Sequence, residues 1–422
     1  MGLDIYYKFI LAFAIILLAA RIGGEIAQRY LKQPAVLGEL AAGMVISPFA
    51  LGGLLHDPII LNLAILRGAF GLYEFSPLEI ISEIAVISLL FVAGVETDVK
   101  SFLKNSLSGS AVAFGGAILP FIFGLLVTMA LYHDLGLAGW LFMGATLTAT
   151  SIGVTVRMLI DMGRLTTKPG IIILVAAVVD DMIGIVILSI VLSMANTASL
   201  DMLNTSKILL ISFGAWFALL ITGVRWNRYI SSYLLAPFRK SGTLPIAALL
   251  IGFFVSYLVT LINLHPVVGA YLAGLIFAAT AEKEEILEMT RPIMLFLAPF
   301  FFCYLGMQVQ IPLLWAGATL AVALIAVAIL GKIVGCYIPA KLVAKLGHRD
   351  AMIVGVGMVP RGEVGFIIAG VGLLAGAITR ELFGVAVAVS IVTTLITPAM
   401  LKPFTKRKSV TVPTSKDISP DK

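Results

Sequence analysis

Two adjacent aspartates, Asp180 and Asp181, lie in the middle of an otherwise almost wholly apolar run at residues 171–194. A run of this length can cross a bilayer, which needs about 20 residues. An ionised side chain at the bilayer centre costs roughly 3 kcal/mol on insertion scales, and two neighbouring carboxylates also repel each other. Because packing alone does not offset that free-energy cost, the pair indicates an ion or proton site inside a membrane.

The two carboxylates cannot face one cavity equally, since adjacent helix positions point about 100° apart. We expect one of them to face an ion path and the other to face a neighbouring helix. Carboxylate oxygens suit hard cations. Burial and mutual repulsion make it costly to ionise both groups, so one can also carry a proton. A helix cap is the alternative reading, and the position in mid-run argues against it.

A third charge, Lys332, lies deep in the apolar run at 314–341, with Gly331 before it and Gly335 after it. A lysine near a helix end can extend its ammonium group to the membrane surface. Lys332 is far from the predicted end of its run, which favours the other interpretation. We expect its ammonium group to pair with one of the aspartates.

Two apolar runs contain interruptions of their helical pattern. The first holds Thr-Leu-Thr-Ala-Thr-Ser-Ile-Gly at 146–153, and the second holds Val-Pro-Arg-Gly-Glu at 359–363. Unwound backbone leaves carbonyl groups free to coordinate a cation, and the hydroxyls of Thr150 and Ser151 add oxygen ligands. Simple hydrogen bonding within the helix bundle is an equal alternative for these two hydroxyls. Arg361 and Glu363 can neutralise each other or the exposed helix ends, a structural role at least as favoured as ion contact.

Four further charged residues lie in or near the apolar runs. Glu96 and Arg157 fall near predicted cytoplasmic ends, where pairing at the membrane interface is the simpler expectation. Glu83 also lies close to a run. Glu39 lies deeper, and the sequence assigns it no role.

The composition is that of a polytopic membrane protein. The 422 residues are 60% hydrophobic and 12% charged, whereas soluble domains are about 25% charged. The net charge of +6 does not indicate nucleic-acid binding, because Lys and Arg cluster in short loops beside apolar runs. Cys303 and Cys336 both lie in apolar runs, which disfavours a disulfide framework. No nucleophile–base pair or metal constellation indicates an enzyme, and no cofactor is implied.

The apolar runs predict about thirteen membrane segments. The first is read as a retained span and not as a signal peptide. Basic residues follow the odd-numbered segments, which predicts an external N-terminus and a cytoplasmic C-terminus. The predicted spans are 5–22, 35–51, 78–96, 108–132, 138–160, 169–194, 206–224, 243–262, 265–280, 292–309, 314–341, 350–376 and 382–402.

This number divides into two six-segment halves of opposite orientation around one linker segment, an arrangement common in secondary transporters. The two interrupted runs then occupy matching positions in the halves, which points to the transport site. An ion channel with a carboxylate filter is the alternative class, and interrupted helices in inverted halves favour a carrier. Residues 403–422 are expected to be a disordered cytoplasmic tail without room for a soluble regulatory domain.

The chain resembles the monovalent cation:proton antiporter family 2, and within it the NapA-type sodium/proton antiporters, which are related to the Kef potassium systems. The resemblance covers roughly 5–402 and is carried by several motifs together. These are Pro-Ala-Val-Leu-Gly-Glu at 34–39, Leu-Phe-Val-Ala-Gly-Val-Glu at 90–96, the interruption at 148–153, Asp180-Asp181, the stretches 264–274 and 299–306, Gly331-Lys332 and Pro-Arg-Gly-Glu-Val-Gly at 360–365.

The resemblance implies an all-helical fold with inverted repeats and two crossing interrupted helices. It also implies a homodimer, multi-pass in the inner (plasma) membrane, in which a core domain moves against a dimerisation domain. The implied dimerisation domain comprises 1–105 and 241–311, the core 106–200 and 312–402, and the linker helix 201–240.

The resemblance further implies that Asp181 is the principal ion carboxylate, that Asp180 pairs with Lys332, and that Thr150 and Ser151 lie near the ion. The implied activity is electrogenic exchange of cytoplasmic Na⁺ or Li⁺ for external H⁺ by alternating access. K⁺/H⁺ exchange of the Kef type is the alternative. Kef-type proteins tend to have Gln where this chain has Asp180, and they carry a nucleotide-binding domain, which this sequence lacks.

Overall fold

The computed structural model describes residues 2–31, 33–47, 50, 77–197, 202–239, 242–262, 264–307, 318–361 and 363–405. Within these ranges the regular secondary structure is helical, as the apolar runs predict. Seven helices in this part of the chain are long and apolar enough to cross a membrane. Lipid offers no hydrogen-bond partners, and a helix satisfies its backbone groups internally, so apolar runs of this length fold as helices.

The helices are numbered in chain order. The first half of the chain supplies α1 (Gly2–Arg29), α2 (Ala35–Ile46), α3 (Pro77–Glu96), α4 (Val99–Lys104), α5 (Ser106–Leu131), α6 (Gly136–Thr146), α7 (Ile152–Asp161) and α8 (Lys168–Thr197). The second half supplies α9 (Met202–Arg225), α10 (Leu244–Thr260), α11 (Pro266–Ala278), α12 (Lys283–Met307), α13 (Ala318–Leu342), α14 (His348–Gly357), α15 (Glu363–Leu374) and α16 (Arg380–Thr405). A 3₁₀ turn at His133–Leu135 precedes α6, and irregular helical turns at 227–239 follow α9.

Most helix boundaries follow the predicted spans. The division between α10 and α11 is confirmed, because α11 begins at Pro266, whose missing N–H is tolerated in a first helical turn. The helix α12 begins at Lys283, before the predicted membrane span that starts at 292. Glu284 and Glu285 lie in its first turn, where carboxylates favour a helix N-terminus and extend it beyond the apolar run. The total number of membrane segments stays a prediction.

Both predicted interruptions are confirmed, as α6 ends at Thr146 before α7 begins, and α14 ends before α15 begins. At the first interruption, the hydroxyl of Thr146 donates to the carbonyl of Met143 at 2.7 Å, and Thr148 donates to Ala145 at 2.8 Å. Local bonds of this kind compete with the regular helix ladder. At the second interruption, Pro360 lacks the N–H that a continuous helix requires.

Six helices, α1, α2, α3, α10, α11 and α12, pack on one another and are called the first bundle. Their backbones come very close where glycines face each other. A Cβ on Gly94 of α3 would lie 2.5 Å from the Tyr271 carbonyl of α11, and one on Gly306 of α12 would lie 2.1 Å from the Leu40 carbonyl of α2. Small residues at helix contacts are how membrane helices gain close packing without a hydrophobic driving force.

The helices α5, α6, α7, α8 and α13 to α16 form the second bundle, in which α5 packs most extensively on α13. A Cβ on Gly335 of α13 would lie 2.2 Å from the Gly115 carbonyl of α5. A Cβ on the adjacent Gly116 would lie 2.4 Å from the Cys336 thiol and 3.6 Å from Lys332 Cδ, so the lysine stem packs directly against α5. The α5–α13 contact therefore fixes the place where the buried lysine can sit. The helix α9 packs on α8 and α11 and so contacts both bundles.

We predict that Gly335→Ala lowers the free energy of unfolding by about 1–3 kcal/mol, because the added methyl group overpacks the α5–α13 contact. Gly370→Ala is the matched control, since nothing lies within 4 Å of a Cβ at Gly370 in α15. Thermal unfolding of both variants in detergent micelles measures the effect. A melting temperature for Gly335→Ala equal to that of Gly370→Ala would contradict the prediction.

Candidate ion site at two interrupted helices

The two interrupted segments cross and bond to each other through their unwound backbone. The N–H of Ser151, just before α7, donates to the carbonyl of Pro360 at 2.8 Å. The hydroxyl of Thr150 donates to the carbonyl of Met358, just after α14, at 3.1 Å. The N-terminal end of α7 therefore meets the C-terminal end of α14. The partial positive and negative ends of two helix dipoles compensate each other there.

Asp180 and Lys332 form a buried ion pair beside this crossing. The Lys332 ammonium donates to Asp180 Oδ1 at 3.0 Å and to Oδ2 at 3.2 Å, with side-chain exposures of 0% for Lys332 and 1% for Asp180. The same ammonium donates to the carbonyl of Thr148 in the first interruption. The backbone N–H of Thr150 donates to Asp180 Oδ2 at 2.8 Å. One carboxylate thus binds both the lysine and the interrupted helix.

Asp181 is buried in α8 next to Asp180, and Thr150 and Ser151 are buried in the first interruption. The structure therefore brings together the predicted site residues Asp180, Lys332 and Thr150 by direct contact. Ser151 is joined to them through its neighbour Thr150 and through its bond to the second interruption. Oxygen atoms from a carboxylate, hydroxyls and unwound backbone are the ligand types that hard monovalent cations take.

Arg361 is buried and directs its guanidinium group at backbone carbonyls. Its Nε donates to the carbonyl of Leu147 at 3.1 Å and its Nη1 to Val359 at 3.1 Å. A further donor, Nη2, reaches Leu147 and Ala328. Leu147 directly follows α6, so Arg361 satisfies the C-terminal end of that helix with a positive charge. This contact fits the compensating role expected for Arg361. Glu363 begins α15, and its side chain lies outside the described residues.

Some residues that build the site were not singled out from the sequence. The hydroxyl of Thr155 in α7 donates to the carbonyl of Gly357 at 2.8 Å, and Thr394 in α16 donates to the carbonyl of Arg361. Thr148 contributes a carbonyl group, which its side-chain type does not reveal. The signal available in sequence was a buried threonine in an apolar run, and most such threonines only bond to their own helix.

The charges in this part of the second bundle balance among the described residues. Asp180 and Asp181 supply two carboxylates, and Lys332 and Arg361 supply two cations, all of them buried. An unpaired buried charge is strongly destabilising, whereas a paired one is tolerated. A cation that takes the place of the ammonium group beside Asp180 would therefore leave that carboxylate compensated.

A helical membrane fold in which two interrupted helices cross beside buried carboxylates is the architecture of a secondary transporter. The chain belongs to the sodium/hydrogen exchanger family, whose transmembrane model matches residues 12–407. This confirms the resemblance at the level of the antiporter class. The family 2 and NapA-type wording is finer than the family that the comparisons show, which is the sodium/hydrogen exchanger family.

Several relatives match over nearly the whole chain. The Na(+)/H(+)-K(+) antiporter GerN of Bacillus cereus is 33% identical over 94% of this chain and 96% of its own length. The high-affinity Na(+)/H(+) antiporter NhaS3 of Synechocystis is 32% identical over 93% of this chain and 89% of its own length. The sodium proton antiporter MjNhaP1 of Methanocaldococcus jannaschii has the same fold, with a TM-score of 0.65 at 18% identity over 98% of this chain and 99% of its own.

We predict that Lys332→Met lowers the free energy of unfolding by about 3–5 kcal/mol, because it leaves the Asp180 carboxylate buried without its counter-charge. The double variant Asp180→Asn/Lys332→Met is expected to recover most of that loss. Chemical unfolding in detergent without sodium measures all the variants, including Asp180→Asn alone, as a double-mutant cycle. Additive effects of the two substitutions would contradict an ion pair.

Proposed function

We propose that this protein exchanges cytoplasmic Na⁺ or Li⁺ for external H⁺ by electrogenic alternating access. Membership of the sodium/hydrogen exchanger family supports the reaction class. The observation that carries the proposal is the buried Asp180–Lys332 pair, bonded to the first interruption and adjacent to Asp181. A carboxylate pair with one ammonium group can hold either protons or a cation, and the two then compete for the same oxygens.

In the proposed cycle, Asp181 loses its proton before it binds the cation, and the hydroxyls and free carbonyls of the first interruption supply further oxygen ligands. Lys332 occupies both oxygens of Asp180 in this structure. A cation that recruits Asp180 therefore has to displace the ammonium group, which breaks the ion pair. Re-formation of the pair after release of the cation restores the compensated state. The ion pair thus couples occupancy of the site to charge balance around it.

Two protons exchanged for one Na⁺ would move one net charge. The membrane potential then supplies about 2.3 kcal/mol per charge per 100 mV. The second bundle would carry the site across the membrane as the core domain. The first bundle would form the dimerisation domain of a homodimer in the plasma membrane, with the N-terminus outside. Exposed apolar side chains on α1 and α10 of the first bundle, such as Leu18 and Phe254, suit contact with lipid or with a second copy.

K⁺/H⁺ exchange is the second candidate, because the relative GerN is named as an antiporter of K⁺ as well as Na⁺. The same oxygen ligands can bind either cation. The choice between them depends on the size of the cavity that the ligands enclose. Competition between the cations separates the two activities.

We predict that Asp181→Asn abolishes exchange of Na⁺ for H⁺, because it removes the charge that both ions require. Proteoliposomes with an internal pH dye measure the flux after addition of Na⁺, Li⁺ or K⁺. Asp134→Asn is the control, since Asp134 lies exposed in the 3₁₀ turn before α6. Exchange by Asp181→Asn at the native rate would overturn the proposal.

We also predict that thiocyanate, a permeant anion that collapses the membrane potential, accelerates Na⁺-driven proton flux. Net charge movement builds a potential that opposes further exchange, and the permeant anion removes it. The same vesicles without thiocyanate give the reference rate. A rate that does not change with thiocyanate, together with a response to K⁺, would instead indicate electroneutral K⁺/H⁺ exchange.

A further inference from the structure

A second cluster of buried charges lies outside the ion site, between the two bundles. Arg157 of α7 donates through Nη2 to Glu39 Oε1 of α2 at 3.2 Å, and through Nε to Asp161 Oδ1 of its own helix at 3.0 Å. The exposed fractions are 5% for Arg157 and 2% for Glu39. Asp161 also faces the backbone N–H groups of Ala35 and Val36 in the first turn of α2. The cluster therefore fastens α7 to the beginning of α2.

The two helices that this cluster joins belong to different bundles. Toward its N-terminal end, α7 is hydrogen-bonded through Ser151 and Thr155 to the segment around the second interruption. We therefore expect α7 to move together with the ion site. The helix has ten residues, and at 1.5 Å per residue it is a rod of about 15 Å. The helix α2 instead packs on α1 and α12 of the first bundle. Relative movement of the bundles therefore has to change the distance between Arg157 and Glu39.

Elsewhere between the bundles, α7 meets α3 and α12 through side chains, since a Cβ on Gly153 would lie 3.0 Å from Val86 and 3.4 Å from Phe301. A small cavity lies between side chains of α2 and α12 on one side and of α16 and Arg361 on the other. Its lining includes Leu40, Met44, Ile391 and Leu395. Inside each bundle, by contrast, glycines let backbones touch. Contacts between side chains can rearrange when the bundles shift, whereas glycine-packed backbones cannot shift without clashes.

Each side of the bridge keeps a counter-charge of its own when the bridge opens. Asp161 lies one turn from Arg157 on the same helix and moves with it. Arg21 of α1 lies close enough to act on the charge of Glu39 and stays in the first bundle. The thiol of Cys303 in α12 is the other titratable group that faces Glu39. Separation therefore leaves Arg157 paired with Asp161 and leaves Glu39 with the weaker effect of Arg21, which makes the closed arrangement the favoured one.

The bridge also uses only part of the bonding capacity of its members. Glu39 Oε2 and Arg157 Nη1 are buried and have no hydrogen-bond partner among the described residues. A second, parallel bond would have made the pair bidentate and much stronger. One bond with two unused polar atoms gives a moderate preference for the closed arrangement and not a permanent lock.

We propose that Glu39, Arg157 and Asp161 form an ionic latch that favours the relative position of the bundles seen here. The latch sets the equilibrium between this conformation and one in which α7 has moved along α2. The role of this latch in transport rests on the proposed alternating access. Opening of the latch changes the distance between two parts of the chain, whether or not an ion is transported.

The test measures that distance with paired spin labels in nanodiscs, without any ion gradient. Labels at Glu285→Cys in α12 and Thr166→Cys after α7 report the first and the second bundle, and both positions are exposed. The native Cys303 and Cys336 are buried, and the parent without added cysteines gives their background. We expect Glu39→Gln to change the ratio of the two distance populations about tenfold, within the usual range of coupling between sites.

The matched control is Glu96→Gln, because Glu96 pairs with Arg291 between α3 and α12, inside the first bundle. It should leave the distance distribution unchanged. Arg157→Lys keeps the charge but cannot bridge two carboxylates through a planar fork, so it should shift the populations in the same direction. Adding Glu39→Gln to Arg157→Lys should then change little more, because the bridge is already lost.

An unchanged distribution in both Glu39→Gln and Arg157→Lys would overturn the latch, and so would an equal change in Glu96→Gln. Arg157→Lys keeps the test decisive if Glu39→Gln does not fold. Failure of the proposed function is distinguishable, because a parent that exchanges no Na⁺ in proteoliposomes can still show the shift in distance. A shift with intact exchange in the parent supports both.

Discussion

The salt bridge between Asp180 and Lys332 is the interaction on which the rest of the structure depends. Both groups are almost completely buried, so neither can remain charged in the bundle without the other. The lysine stem packs beside Gly116 at the close α5–α13 contact, and the N–H of Thr150 before α7 donates to the aspartate. Removal of any one of these elements would leave a buried charge without its partner, which lowers the stability of the fold.

The interruptions and the ion pair solve one problem together. Unwinding a helix inside a membrane frees carbonyl and N–H groups that lipid cannot satisfy. Here Arg361 binds the carbonyls that α6 leaves free, and Asp180 binds an N–H just before α7. The same free groups are what a cation needs as ligands. The backbone groups that the interruptions free are thus satisfied by charges of the proposed ion site.

The proposed cycle requires rigid bodies that move against each other, and the packing is divided in that way. Glycines such as Gly94 and Gly335 bring backbones into contact inside each bundle. Between the bundles lie side-chain contacts and the bridge from Arg157 to Glu39. Because α7 joins the ion site at one end to the bridge at the other, occupancy of the site and the position of the bundles can influence each other.

The sequence by itself determined the membrane class and the two interruptions, and it singled out Asp180, Asp181 and Lys332 as a candidate site. Apolar length, a proline and the cost of buried charge are local properties that can be read from residue types. Residue types alone left open which aspartate binds the lysine, since adjacent positions in α8 are equivalent; the family resemblance implied Asp180, and the tertiary structure has that pair. It alone gave Glu39 a partner, because the pairing joins residues 118 positions apart. Carbonyl contacts such as that of Thr148 depend on where the backbone lies, and residue type carries no record of that.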